Sequence, residues 1–220
     1  MRIEVKICGV NTPEALHWAA EAGADFVGFV YFPPSPRAVT PAQSGAISAS
    51  LEGGPRRVGL FVDPGDALLE AALATTALDV IQLHGEEPPA RVAEIRARFG
   101  RPVMKALGIA AEADLAQIPL YADVADRLLL DAKPPPNAVL PGGNAAPFEW
   151  RLARLARITR PWLLAGGLTP ANVAEAIAAS GAPGVDVSSG VERARGVKDP
   201  ALIQAFIGRA RGWEKPAASI

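Results

Sequence analysis

The sequence predicts an α/β fold, a single closed barrel of eight parallel strands alternating with helices, and three observations predict it. Short β-branched runs alternate with Ala- and Leu-rich segments eight times over, the pattern of a parallel sheet with right-handed crossovers. The 220 residues allow about 27 per unit, enough for compact strand–helix pairs with little decoration. A closed ring leaves no strand edge unpaired, whereas an open sheet of eight would expose two. A (β/α)8 barrel is therefore expected to occupy residues 1–212 as one domain, with 213–220 as a frayed tail.

The elements follow in order. Strands are expected near Ile3–Cys8, Asp25–Tyr31, Arg57–Val62, Asp79–His84, Pro102–Ala106, Arg127–Asp131, Trp162–Ala165 and Gly184–Val187. Helices are expected to begin near Pro13, Pro41, Asp66, Pro88, Glu112, Phe148, Pro170 and Pro200. Proline suits the first helical position because its missing N–H would have no intrahelical partner there, as behind Asn11-Thr12 and behind Thr169. Pro134-Pro135-Pro136 and Gly142-Gly143 read as one long loop after strand six.

Composition narrows the function. With 22 basic and 23 acidic residues the net charge is −1, which excludes a charge-driven binder of nucleic acid or membrane surface. Half the residues are hydrophobic and 20% are charged, so a sizeable core can form. The single cysteine, Cys8, has no partner for an intrachain disulfide, and two histidines offer little for a metal cluster. Arg2, Glu4 and Lys6 break any signal-peptide core, and no apolar run approaches ~20 residues. A cytoplasmic protein without membrane or nucleic-acid partners is expected.

Strand parity then says where polar groups point. In strand one, Ile3, Val5 and Ile7 share the face expected against the helices, which leaves Lys6 and Cys8 on the other. Cys8 is thus directed inward at the carboxyl end. Asp131 ends strand six after Leu128-Leu129-Leu130, and His84 ends strand four after Gln82-Leu83. Three strands deliver ionisable groups to the rim where barrels of this kind place their chemistry. Gly166-Gly167 follows strand seven and Ser188-Ser189-Gly190 follows strand eight. Glycines let backbone N–H groups approach an anion, serine hydroxyls add donors, and these two loops are the usual phosphate clamp of a barrel. A phosphorylated small molecule is the expected ligand.

The residues also resemble a known family. Lys6-Ile7-Cys8-Gly9 with Asn11-Thr12 is similar to the opening of the phosphoribosylanthranilate isomerases of tryptophan biosynthesis. The likeness continues through Asp25-Phe26-Val27-Gly28-Phe29-Val30, Ser35-Pro36-Arg37, Val58-Gly59-Leu60-Phe61-Val62, Gln82-Leu83-His84-Gly85-Glu86 and Leu129-Leu130-Asp131. It ends with Leu164-Ala165-Gly166-Gly167-Leu168, the run Gly184 to Glu192, and Gly196-Val197-Lys198-Asp199, all in the family's order. The chain departs from the pattern after strand six. There Pro141-Gly142-Gly143-Asn144-Ala145-Ala146-Pro147 stands before Phe148-Glu149-Trp150 in place of a Gly-Gly-Thr-Gly run.

The resemblance implies an Amadori rearrangement of N-(5′-phosphoribosyl)anthranilate to 1-(2-carboxyphenylamino)-1-deoxyribulose 5-phosphate, an intramolecular aldose–ketose conversion. One acid and one base suffice for it, so neither a cofactor nor a metal is expected. It implies Asp131 as general acid and Cys8 as general base, with Arg37 matching the anthranilate carboxylate through its planar fork. A free thiol ionises only near pH 8.5, so Lys6, two residues back on the same face, is the expected electropositive helper. Asp131 needs a desolvated site to hold its proton. His84 is expected beside the substrate and Asp186 as an orienting group beside the phosphate clamp. Two other readings stand beside this one. The sister isomerase of histidine biosynthesis uses an aspartate base on strand one, where this chain has Cys8, and a second phosphate site is not evident. A barrel that binds phosphosugars without turnover would be marked by loss of Cys8 or Asp131, and both are present. Nothing in the sequence separates a monomer from a homodimer.

Overall fold

In the computed structural model, which describes residues 2–133 and 149–212, eight parallel strands close into a ring. The strands β1 (Glu4–Cys8), β2 (Phe26–Val30), β3 (Arg56–Phe61), β4 (Val80–Leu83), β5 (Val103–Ile109), β6 (Arg127–Ala132), β7 (Trp162–Leu164) and β8 (Gly184–Val187) neighbour one another in chain order. The ring closes where β8 pairs with β1, setting Lys6 opposite Asp186. The helices are α1 (Pro13–Glu21), α2 (Pro41–Ala49), α3 (Asp66–Thr75), α4 (Pro89–Phe99), α5 (Ile118–Ala122), α6 (Leu152–Leu155), α7 (Val173–Ser180) and α8 (Pro200–Arg211). The fold is the expected (β/α)8 barrel.

Local chemistry starts the helices. Thr12 accepts the Ala15 N–H ahead of Pro13, and Asp199 accepts the Leu202 N–H ahead of Pro200. Thr40 and Gln43 satisfy each other's backbone N–H in a reciprocal box at the start of α2. Alternation along the strands divides the core in two. Val5, Ile7, Leu128, Leu130, Val185 and Val187 pack outward with the helices, whereas Phe26, Val58, Val80, Met104, Leu129 and Leu163 fill the barrel interior. The same alternation turns Lys6, Cys8, Gln82, Asp131 and Asp186 inward.

Some expected boundaries move, each for a local reason. β5 runs on to Ile109 instead of ending at Ala106, because Gly108 and Ile109 continue to pair with β6. Glu112 opens a 3₁₀ turn, Glu112–Gln117, and the α-helix itself starts at Ile118. Asp114 bends that approach by accepting the N–H groups of Ala110 and Ala111. Pro170 begins a turn rather than a helix, since Asn172 folds back on Thr169 and Gly167, and α7 starts at Val173. Pro88 flanks α4, and the helix starts at Pro89. A two-stranded ribbon beyond the eight expected strands, β9 (Glu192–Ala194) with β10 (Val197–Lys198), follows β8. The expected helix start at Phe148, the loop over 134–147 and the tail at 213–220 lie outside the described residues. Among the described residues no helix is long and apolar enough to cross a membrane.

Candidate active site

Cys8 ends β1 buried inside the mouth, beside Val30 and Leu60. Its strand neighbour in register is Gly28 of β2. A Cβ at Gly28 would lie 3.0 Å from Cys8 Sγ and 3.1 Å from Lys6 Nζ, so the thiol and the ammonium converge on the space that this glycine leaves empty. Lys6 is fully buried and donates to Asp186 Oδ1 at 2.7 Å.

Burial pushes the Cys8 thiol up, because a thiolate loses hydration there. Lys6 pulls it down, Asp186 pushes it up again, and Lys198 lends a further downward pull, with the balance above the ordinary thiol range. The expected help from Lys6 is thus present, but burial outweighs it. Burial pulls the Lys6 ammonium down, yet Asp186 and Cys8 more than offset this and hold it above its ordinary value.

Asp131, the last residue but one of β6, sits in a nearly closed setting, 7% exposed. Its Oδ1 accepts the Ala132 N–H at 2.8 Å, and its Oδ2 lies 3.3 Å from His84 Nε2. Gln82 Nε2 faces the other ring nitrogen, Nδ1, at 3.1 Å, so the imidazole is pinned between amide and carboxyl. Asp131 borders two cavities. One, of about 240 Å³, is shared with His84, Gln117 and Lys133. The other, of about 30 Å³, is shared with Asp186, Gly166, Gly167, Ser188 and Ser189.

Four expected clamp residues wall this smaller cavity, and two of them are placed by unusual backbone. Gly166 and Gly167 have φ of 89° and 63°, a left-handed pair that side chains resist. Gly190, the fifth expected residue, is not in that wall. It lets two loops touch, for a Cβ there would fall 1.8 Å from the Leu168 carbonyl oxygen. Ser188 Oγ donates to the Cys8 carbonyl at 3.1 Å and ties the loop after β8 to β1.

Arg37 is at the mouth, in the loop after β2, but its fork is already engaged. Nε and Nη2 donate to Glu192 Oε1 and Oε2 at 2.7 and 2.9 Å. Glu192 also accepts from Lys198 Nζ at 2.8 Å and from the Gly196 N–H at 3.0 Å. Burial would raise the Glu192 carboxyl, but Arg37 and Lys198 hold it down to about 2. Burial likewise lowers the Lys198 ammonium, which Glu192 only partly restores. Sequence reasoning read Glu192 and Lys198 as motif letters without roles. The one local signal was Gly196, whose φ of 80° turns β9 into β10. Among the described residues no three His, Cys, Asp or Glu side chains converge as metal ligands.

Fold and mouth define a (β/α)8 barrel with a thiol, a carboxyl and an imidazole at the rim where such barrels carry their chemistry. Residues 5–209 match the family model described as N-(5′-phosphoribosyl)anthranilate (PRA) isomerase, and the chain belongs to that family. It is 59% identical over 210 residues to the N-(5′-phosphoribosyl)anthranilate isomerase of Paracoccus denitrificans, covering 96% of this chain and 98% of that one. The Paramagnetospirillum magneticum enzyme is 55% identical, with 96% and 99% covered. Phosphoribosyl anthranilate isomerase from Thermotoga maritima superposes with a TM-score of 0.85 at 38% identity, covering 96% of this chain and 99% of that one. A phosphoribosyl anthranilate isomerase solved with reduced 1-(o-carboxyphenylamino)-1-deoxyribulose 5-phosphate superposes with a TM-score of 0.81 at 36% identity, with the same coverage. The chain is accordingly an isomerase of tryptophan biosynthesis that converts N-(5′-phosphoribosyl)anthranilate to the deoxyribulose product.

Proposed function

We propose that Cys8 and Asp131 carry this isomerisation, Cys8 as general base and Asp131 as general acid. Asp131 gives its proton to the furanose ring oxygen, the bond from that oxygen to C1′ breaks, and the anilino nitrogen's lone pair forms the Schiff base. Cys8, as thiolate, then takes the proton from C2′, leaving an enolamine that tautomerises to the ketone. The two groups finish with their protonation exchanged, and solvent resets them. Ser188 carries this reading: its hydroxyl bonds the Cys8 carbonyl, and the same residue walls the cavity that Asp131 borders. A phosphate seated against Ser188 leaves the sugar ring at the mouth, into which β1 turns Cys8 and β6 turns Asp131.

The N–H groups of Gly166 and Gly167 and the hydroxyls of Ser188 and Ser189 hold the phosphate in this reading, with Gly190 keeping their loops together. Arg37 offers its remaining edge to the anthranilate carboxylate. Lys6 and Asp186 set the charge around the thiol, and His84 orients the Asp131 carboxyl. The ligand is a small phosphorylated one, with no nucleic acid or membrane involved, and the chain works in the cytoplasm as a monomer or homodimer. A Thermotoga maritima relative is described as dimeric.

Turnover of N-(5′-phosphoribosyl)anthranilate by the purified chain tests the assignment. Cys8→Ser and Asp131→Asn should each lower kcat by about a hundredfold or more while keeping the wild-type circular dichroism. Near-normal turnover in either variant would remove that residue from its role.

A further inference from the structure

A guanidinium has more than one edge able to grip a carboxylate, and in Arg37 one of them is spent within the protein. The Nε–Nη2 edge lies flat on Glu192, between side chains only 7% and 4% exposed. Glu192 is itself immobilised from behind by Lys198 Nζ and the Gly196 N–H. Lys198 in turn donates to the Ser188 carbonyl at 3.0 Å, so the assembly is anchored to the phosphate-side loop. Glycine permits the close fit at two places. A Cβ on Gly9 would lie 2.5 Å from Arg37 Cδ, and one on Gly196 would lie 2.7 Å from the Pro36 carbonyl oxygen.

A bidentate pair fixes both the position of a guanidinium and its rotation. With the Nε–Nη2 edge held, the edge left to a ligand is Nη1–Nη2, and its direction is set before any ligand arrives. Arg37 and Lys198 share one carboxylate, so these three groups keep one positive charge in excess. That is the charge an incoming carboxylate needs. An arginine already immobilised also loses less side-chain freedom on binding.

We infer that Glu192 is a positioning residue that aims Arg37, and that the ribbon β9–β10 thereby sets the enzyme's preference for a substrate bearing a carboxylate. The inference rests on the proposed pairing of Arg37 with the anthranilate carboxylate.

The test compares kcat/KM for N-(5′-phosphoribosyl)anthranilate with that for N-(5′-phosphoribosyl)aniline, which lacks the carboxylate. The ratio is taken on one preparation, so the folded fraction cancels even for a destabilised variant. Glu192→Gln should lower the wild-type preference by about tenfold, carried by KM more than by kcat. Arg37→Ala should lower it at least as far, the scale of losing charge-assisted hydrogen bonds. The double variant should show no lower preference than Arg37→Ala alone. If Arg37→Ala loses the preference and Glu192→Gln keeps it, the positioning role is overturned. If Arg37→Ala keeps it, the pairing of Arg37 with the carboxylate fails instead, and the inference with it.

Discussion

Lys6 Nζ donates to Asp186 Oδ1 at 2.7 Å across the seam where the last strand closes on the first. Both groups face into the barrel, and the lysine has no solvent contact at all. Their opposite charges act on a third group, Cys8, with opposite signs. The pair therefore bridges the closing seam and adjusts an ionisation of the thiol that burial dominates.

Alkylation of Cys8 by iodoacetamide reads that ionisation cleanly, because the chain has no other cysteine. In the free enzyme the rate should rise with pH to a midpoint above the ordinary thiol value of about 8.5. Lys6→Met should move the midpoint higher still, since it removes the strongest pull toward thiolate. Asp186→Asn should move it lower. Shifts of the same sign in both variants would refute the arrangement.

Removing one partner of the buried pair should also cost stability. Lys6→Met leaves the Asp186 carboxylate without its cation, a loss of about 3 kcal/mol measured as a lower urea midpoint at unchanged slope. A variant as stable as the parent would mean that solvent reaches Asp186 more freely than its burial implies.

Glu192 makes the fold sensitive to acid in a defined window. Its carboxyl is held at about 2 in the folded chain against an ordinary 4.5. A depressed carboxyl stabilises the fold fully above its unfolded value, and that stability is lost as pH falls through the folded one. Between pH 4.5 and 2 the wild type should therefore lose up to about 3 kcal/mol that Glu192→Gln does not lose. Urea midpoints against pH would show two curves converging toward low pH. Parallel curves would contradict the prediction.

Gly28→Ala tests whether the thiol and the ammonium need the room between them. The added methyl would meet Cys8 Sγ and Lys6 Nζ at 3.0 and 3.1 Å, and Cys8 Cα at 3.3 Å. The lysine end can move aside, so the stability cost should be about 1–2 kcal/mol, while kcat should fall more than the melting temperature would lead one to expect. An enzyme with full turnover and a lowered melting temperature would separate Gly28 from the chemistry.

Gly190→Ala probes contact between the clamp loops. A methyl cannot sit 1.8 Å from a carbonyl oxygen, and both Leu168 and Thr169 backbones stand in its way. The two loops must part, and affinity for inorganic phosphate should weaken together with thermal stability. Unchanged phosphate affinity, measured by calorimetry, would count against the clamp.

Much of the fold was legible because the signals are local. Alternation along Lys6-Ile7-Cys8 turned the thiol inward, the end of strand six put Asp131 at the same rim, and the structure has both groups there. Less legible were places where a side chain rewrites the backbone. Asn172 bonds back to Thr169 and Gly167 and delays α7, although Pro170 has the look of a helix start. Gly190 also serves the packing of one loop on another, a contact that its place after Ser188-Ser189 did not reveal.

By itself, the sequence determined the alternation of strands and helices, the closed ring, the inward direction of Cys8 and the place of Asp131 at the same rim. These follow from periods of two and of 3.6 residues, which act over a few neighbours. Tertiary structure alone decided that Lys6 meets Asp186, that His84 lies against Asp131, and that Glu192 takes the fork of Arg37. Those partners are brought together only when the barrel closes and the loops at its mouth settle. A side chain's sequence neighbours say nothing about which distant charge will share its low-dielectric surroundings.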